Sequence, residues 1–186
     1  MAVQTDDKEL LFQFKDPETK ETAFTSIIKK YQEKLYWHIR RMVIEHEDAN
    51  DVLQNVFIKV WKGLENFRED SQLYTWLYRI ATNESLTFLE QQKKRQAVSI
   101  NNMESDLTNN LKADTNFDAK RLEWKLQLAI QQLPEKQRLV FNLRYFDEMP
   151  YEEMSKILET SEGALKASYH HAAKKIEEFI ISHGND

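Results

Sequence analysis

The sequence predicts an all-α protein of two small helical domains joined by a flexible linker, the C-terminal one a helix-turn-helix. Three observations predict it. Apolar residues return every three or four positions through long windows of the 186-residue chain, the spacing of helices that turn one face to a core. A stretch rich in Asn, Asp, Ser and Thr, residues 96–117, interrupts that spacing and reads as a linker. Near the end, Tyr151 to Leu158 and Ser161 to Ile180 are spaced as two helices around a short turn.

Up to about Glu21 the chain is polar, with an apolar cluster at Leu10, Leu11, Phe12 and Phe14, and Asp16-Pro17 marks a break; a short helix and a turn are expected. From Thr22 to about Glu45, the series Phe24, Ile27, Ile28, Tyr31, Leu35, Ile39, Met42 and Val43 predicts one long helix. Glu45, His46, Glu47 and Asp48 then read as a capping cluster, since carboxylates favour the positive end of the next helix. That helix spans Asp48 to Leu64. Val52, Val56, Val60 and Leu64 face the core with Phe57 and Trp61 beside them, while Asp51, Gln54, Asn55 and Lys59 lie off the stripe. After a polar loop, a fourth helix runs from Ser71 to about Lys94 with Leu73, Leu77, Ile80, Ala81 and Phe88 inward. Tyr74, Trp76, Tyr78 and Arg79 crowd its first turns, and flat rings beside a guanidinium suit unstacked bases.

The first domain is therefore 1–95, the linker 96–117 and the second domain 118–186. Fully extended, the linker would reach about 75 Å. Past Asp118 the residues Ala119, Leu122, Leu126, Ala129, Ile130 and Leu133 restore helical spacing. Pro134 is expected in the first turn of the next helix, which carries Leu139, Val140, Leu143 and Phe146. In the final helix Ser161 is a good N-cap, Leu165, Tyr169, Ala172 and Ile176 face the core, and Lys166, Ala167, His170, His171 and Lys174 face out.

Composition excludes several classes of function. With 41% hydrophobic residues, either domain can bury a core. There is no cysteine, which removes disulfides, thiolate catalysis and cysteine-ligated zinc. Gly63, Gly163 and Gly184 are too scattered for a P-loop or a dinucleotide-binding turn. His170 and His171 diverge by about 100° on a helix and do not easily share a metal. No nucleophile, base and orienter come together, so neither an enzyme, a small-molecule substrate nor a cofactor is expected. No apolar leader or membrane-length window occurs, and a cytoplasmic protein not inserted in a membrane is expected. The net charge of −5 counts against a naked, high-affinity DNA binder, although 71–95 and 161–175 each carry a local surplus of +2.

The run D-x-x-D-V-L-Q-x-V-F-x-K-V-W with the following F-R, S and T-W-L-Y-R-I-A-x-N resembles region two of bacterial RNA polymerase sigma factors of the extracytoplasmic-function type in the sigma-70 family. The stretch L-P-E-K-Q-R-x-V-F-x-L-R-Y-F-D-E-M-x-Y-E-E-M-S-K-I-L-x-x-S-E-G-A-L-K-A-S-Y-H-H-A-A-K-K-I is similar to region four of the same family. The resemblance implies a factor that binds core RNA polymerase and directs initiation at promoter DNA, commonly held in check by an anti-sigma factor. It implies polymerase docking by Asp51, Gln54, Asn55, Phe57 and Trp61. It assigns the minus-ten element to Phe67, Arg68, Ser71, Tyr74, Thr75, Trp76, Arg79 and Asn83, and the minus-thirty-five element to Lys166, Ser168, His170, His171 and Lys174. Three departures bear on this. Asn55 stands where the family usually has Glu, and Ser168 and Ala173 stand where it often has Arg, which implies weak DNA binding in isolation. Glu159 occupies a turn position that is commonly glycine, at a cost of about 1 kcal/mol if the residue takes positive φ. The competing reading is a stand-alone helix-turn-helix regulator of duplex DNA.

Overall fold

The computed structural model describes residues 6–98 and 118–182. Among the described residues there are eight helices and no strand: α1 Asp7–Phe14, α2 Lys20–Val43, α3 His46–Leu64, α4 Leu73–Val98, α5 Asp118–Gln131, α6 Glu135–Tyr145, α7 Tyr151–Leu158 and α8 Glu162–Ser182. The expected all-α class holds. From residue 99 onward the expected linker lies outside the described residues. At its start α4 continues as helix to Val98, beyond the expected end near Lys94. The chain divides into two compact units, Met1–Gln92 with Lys156–Leu158, and Lys93–Ser155 with Glu159–Asp186.

In the first unit α2 packs against both α1 and α3. Its inward row, Ala23, Ile27, Tyr31, Leu35, Ile39 and Met42, is buried together with Leu10 and Phe14 of α1, Val52, Val56 and Val60 of α3, and Leu73 and Leu77 of α4. A polar clasp reinforces α1: the Tyr31 hydroxyl lies 2.8 and 2.7 Å from the two carboxylate oxygens of Asp7, and Lys30 Nζ lies 2.8 Å from Asp7 Oδ1. Burial, then the Asp7 carboxylate, pushes the Tyr31 phenol above its ordinary range. Between α2 and α4, His38 Nε2 and Thr82 Oγ1 share a buried hydrogen bond of 2.9 Å.

Several helix ends differ from the sequence expectation. α2 stops at Ile44, whose φ of 71° and ψ of −49° reverse the chain, and the Glu45 N–H donates to the Val43 carbonyl at 2.9 Å. This tight turn starts α3 at His46, two residues early, with Glu45 at the N-cap and no side-chain cap bond. The expected capping role of His46 is thereby replaced. Its Nδ1 lies 2.6 Å from the Tyr36 hydroxyl and its Nε2 3.1 Å from Asn50 Nδ2, so the ring joins α2 to α3.

In the second unit α8 packs on α6 and on α5, around Ala129, Ile130, Leu133, Phe141, Ala172 and Ile176. Phe141 is stacked between Tyr145 and Tyr169, with ring centroids 5.1 and 5.6 Å away. Pro134 is the N-cap residue of α6 rather than a member of its first turn; its ψ of 139° is extended and its missing N–H costs the helix nothing. Asn142 is fully buried with no hydrogen-bond partner for either polar side-chain atom. The turn between α7 and α8 is made by Glu159 in the left-handed region, φ 51° and ψ 39°, and Ser161 Oγ accepts a hydrogen bond from the Ala164 N–H at 3.3 Å.

Two stability outcomes follow from these contacts. Glu159→Gly removes the left-handed strain and should raise stability by about 1 kcal/mol, less the backbone entropy glycine loses on folding, read as a higher urea midpoint. Thr82→Val keeps the shape of the side chain but takes away the partner of His38 Nε2. It should cost about 1–3 kcal/mol on the same scale, and an unchanged midpoint would show that the bond contributes nothing net.

Candidate nucleic-acid and partner interfaces

On α3, Asp51, Gln54 and Asn55 are exposed, and their spacing of three and four residues puts them in one row. Ile58 continues the row at 47% exposure. Sequence reading passed it over because an isoleucine in a periodic run is assigned to the core, yet its place seven residues after Asp51 marks the outer face. Phe57 and Trp61 are half-buried on the flank of this row. The Trp61 ring meets Phe14 and Phe24 edge-on at 5.4 and 4.9 Å, and Phe57 meets Phe24 at 6.4 Å. Lys20 lies over the Trp61 ring and pairs with Glu65. Two of the five expected docking residues therefore also hold α3 against α1 and α2. At the head of the row, burial and then the carboxylates of Glu45, Asp51 and Glu47 hold Asp48 above the usual carboxylate range, so this end of α3 concentrates negative potential.

The expected minus-ten residues fall into three groups. Arg68, Arg79 and Asn83 are exposed, with Arg68 Nε 3.5 Å from Asp70. Phe67, Ser71, Tyr74 and Trp76 are half-buried. Phe67 packs on Trp76 with ring centroids 5.0 Å apart, Tyr74 meets Tyr78 edge-on at 6.1 Å, and the Trp76 ring lies where a Cβ on Gly63 would meet it at 3.0 Å. Gly63 is thus the close approach that lets α4 lay its tryptophan on α3. Thr75 does not belong to the exposed group. It is 2% exposed, because Thr75, Tyr78, Thr82, Ser85 and Leu89 form one inward row at helical spacing, and its side chain is turned away from any strand on the surface of α4. Lys59 of α3 pairs with Glu84, a further tie between the two helices.

On α8, Lys166, His170, His171 and Lys174 are exposed and Ser168 is half-buried, as a helix with Leu165, Ala172 and Ile176 inward requires. Lys166 is 3.4 Å from Glu162 and its Nζ is 5.5 Å from the centre of the Tyr151 ring, and Lys174 is 3.9 Å from Glu178. The two histidine rings are 6.1 Å apart and tilted by 56°. On the same unit Phe141, Tyr145, Tyr169, Ile176, Ile180 and Ile181 line an open apolar groove. No described helix is long and apolar enough to cross a membrane.

An exposed acidic and polar row, a loop and helix rich in rings and arginine, and a helix-turn-helix are arranged in the order of one transcription family. Residues 27–95 match Sigma-70 region 2 and residues 123–176 match Sigma-70, region 4. The RNA polymerase sigma-H factor of Pseudomonas aeruginosa is 31% identical over 166 residues, covering 85% of this chain and 86% of the relative. The ECF RNA polymerase sigma-E factor of Escherichia coli K12 is 33% identical over 165 residues, covering 83% and 85%. Among solved structures, CnrH in complex with the cytosolic domain of CnrY is similar in fold, with a TM-score of 0.68 at 21% identity over 95% of this chain and 97% of that one. So is the sigma factor RpoE of Bartonella quintana in complex with the anti-sigma factor NepR, with a TM-score of 0.66 at 19% identity over 84% and 96%. The chain belongs to the extracytoplasmic-function sigma factors of the sigma-70 family.

Proposed function

We propose a division of labour for this sigma factor, which directs transcription initiation through RNA polymerase: 1–95 docks on the core enzyme and opens the minus-ten element, 118–186 reads the minus-thirty-five element, and 96–117 joins them. The observation that carries the proposal is the exposed row of Asp51, Gln54 and Asn55 on α3. A carboxylate beside two amides presents acceptors and donors together, and the acidic head of α3 adds a field that a cationic partner surface would complement. Asn55 in place of a second acid leaves hydrogen bonding intact and removes one charge.

On α4 the reading assigns base capture to Tyr74 and Trp76 with Phe67, and strand contacts to Arg68, Ser71, Arg79 and Asn83. Thr75 supports the helix from within. Unstacking a base costs a few kcal/mol, and ring stacking returns about 1–3 kcal/mol per base. On α8, Lys166, His170, His171 and Lys174 face the major groove, with Ser168 at its edge. The ties of Lys166 to Glu162 and Lys174 to Glu178 reduce the charge available for phosphates, so this unit alone should bind duplex DNA weakly. The protein works as an initiation factor in the cytoplasm and carries out no catalysis of its own. A regulator of the anti-sigma class, as in the RpoE–NepR pair, is the partner proposed for the apolar groove on the second unit.

The test adds the purified chain to core RNA polymerase over a library of duplex promoters, with the core alone as control. Initiation at a restricted set of sites is expected; duplex binding without polymerase, and no complex with the core, would favour a stand-alone regulator. Asp51→Ala combined with Gln54→Ala should abolish binding to the core while leaving the far-UV circular dichroism spectrum unchanged. Retained binding would remove the docking assignment.

A further inference from the structure

A concentration of positive charge on α2 lies outside every surface discussed so far. Between Lys29 and Arg41, five of the thirteen residues are lysine or arginine and Glu33 is the single acid, within a chain of net charge −5. Helical spacing sorts them. Lys30, Lys34, Trp37 and Arg41 follow one another at four, three and four residues, which places them on one stripe of α2. Lys34 is exposed, Trp37 is 50% exposed, and Lys30 and Arg41 are half-buried. Lys30 is engaged with Asp7 and Arg41 is half-buried, so Lys34 and Trp37 form the exposed part of the stripe.

The position of this stripe follows from contacts already described. His38, one turn from both Lys34 and Arg41, points at α4, where it meets Thr82 at 2.9 Å and Tyr78 with ring centres 5.0 Å apart. Arg79 and Asn83 each come one residue after those contacts and are exposed. α3 occupies the other flank of α2, through Tyr36 and His46. The edge of α2 beside α4 therefore carries Lys34 and Arg41, with Arg79 and Asn83 on the α4 side, while the Trp37 ring lies further out, edge-on to Tyr36 at 5.4 Å.

We propose that the Lys34, Trp37 and Arg41 face of α2 is a second contact for the displaced single strand of promoter DNA, with Trp37 as a stacking platform for one base and the flanking cations on its phosphates. It rests on the reading of α4 as the helix that holds the opened strand. A half-exposed indole set between cations one turn away on each side is the arrangement that binds single-stranded nucleic acid without reading sequence. An acidic protein surface would be met by the cations alone and gives no reason for the indole between them. Charge complementarity and continuity with Arg79 and Asn83 both favour a nucleic-acid strand.

The test uses the full-length chain assembled with core polymerase on one duplex promoter recovered with the unaltered holoenzyme. Open-complex lifetime is measured after heparin challenge at several salt concentrations, alongside affinity for the core. Trp37→Ala should shorten the lifetime about tenfold, the loss of one stacked base, and Trp37→Phe should restore most of it. Lys34→Gln should flatten the slope of log lifetime against log salt by about 0.7, the signature of one single-strand phosphate. Lys34 is at the surface, so an unchanged thermal melt is expected for Lys34→Gln, while Trp37→Ala also gives up the edge-on contact with Tyr36 and should melt lower by no more than the contribution of one aromatic pair. Lifetimes equal to the unaltered holoenzyme in Trp37→Ala and Lys34→Gln would overturn the proposal, and so would a loss of core affinity at constant lifetime, which would make the face a protein-docking surface. If the unaltered holoenzyme forms no open complex, the proposed function itself falls and this inference falls with it.

Discussion

The hydrogen bond between His38 and Thr82 fixes how α4 lies on α2, and the side chains that α4 presents depend on it. Both residues are closed to water, where an unpaired polar group would cost about 1–3 kcal/mol. Rotating α4 about its axis would break the bond and leave both groups without it, so its orientation is specified more sharply than apolar packing alone would do. Tyr78 follows on the same face, and Tyr74 packs on Tyr78. With that row turned in, Arg79 and Asn83 are turned out. The partner and strand surfaces proposed on the first unit are thus held by elements whose rotation is already determined.

The half-buried aromatics serve structure first, and that sets the terms on which they could serve DNA. Trp76 lies against Gly63 and Phe67. Giving up the Phe67 contact costs about 0.5–1.5 kcal/mol, while stacking a captured base returns about 1–3 kcal/mol. The exchange is favourable only when a base is already unpaired. A ring held in this way would keep the proposed strand-binding surface apolar and covered until melting begins. Trp61 is in a different position, since its contacts with Phe14 and Phe24 and the cation of Lys20 surround it on several sides. It offers a partner an edge rather than a face.

Much of the fold was legible because the apolar period is strong. Val52, Val56, Val60 and Leu64 on α3, and Leu165, Ala172 and Ile176 on α8, are buried as their spacing predicts. The polar row of α4 was not legible. Thr75, Thr82 and Ser85 have the composition of a surface and the burial of a core; Thr82 is matched by His38 on α2, forty-four positions away, and the Ser85 hydroxyl donates to the Ala81 carbonyl at 2.8 Å. Thr75 was expected at the minus-ten element through the resemblance alone, which carries a position over without its burial. Helix ends were obscure for a second reason. Ile44, Glu69 and Glu148 take positive φ, where glycine is the usual marker, so those turns carry no punctuation in the sequence, whereas the turn at Glu159 was expected from the spacing of the two helices around it. Ile58 and the cationic stripe of α2 drew no reading from the sequence, since neither belongs to the apolar series that defines its helix.

The acidity of the chain and the DNA-facing surfaces proposed for it belong to one physical scheme. A phosphate backbone attracts a protein through the local field at short range, because salt screens charges beyond about 8 Å at physiological ionic strength. Positive charge on the α2–α4 edge can therefore act on a strand held against it while the net charge of −5 opposes the approach of duplex DNA in solution. A factor built this way gains little from DNA alone. Once docked, it contributes its charges and rings at an effective concentration set by the enzyme that carries it, and strand contacts too weak to hold DNA by themselves become decisive. The ion pairs of Lys166 and Lys174 on α8 act in the same direction, since they moderate the charge of the helix proposed to read duplex DNA.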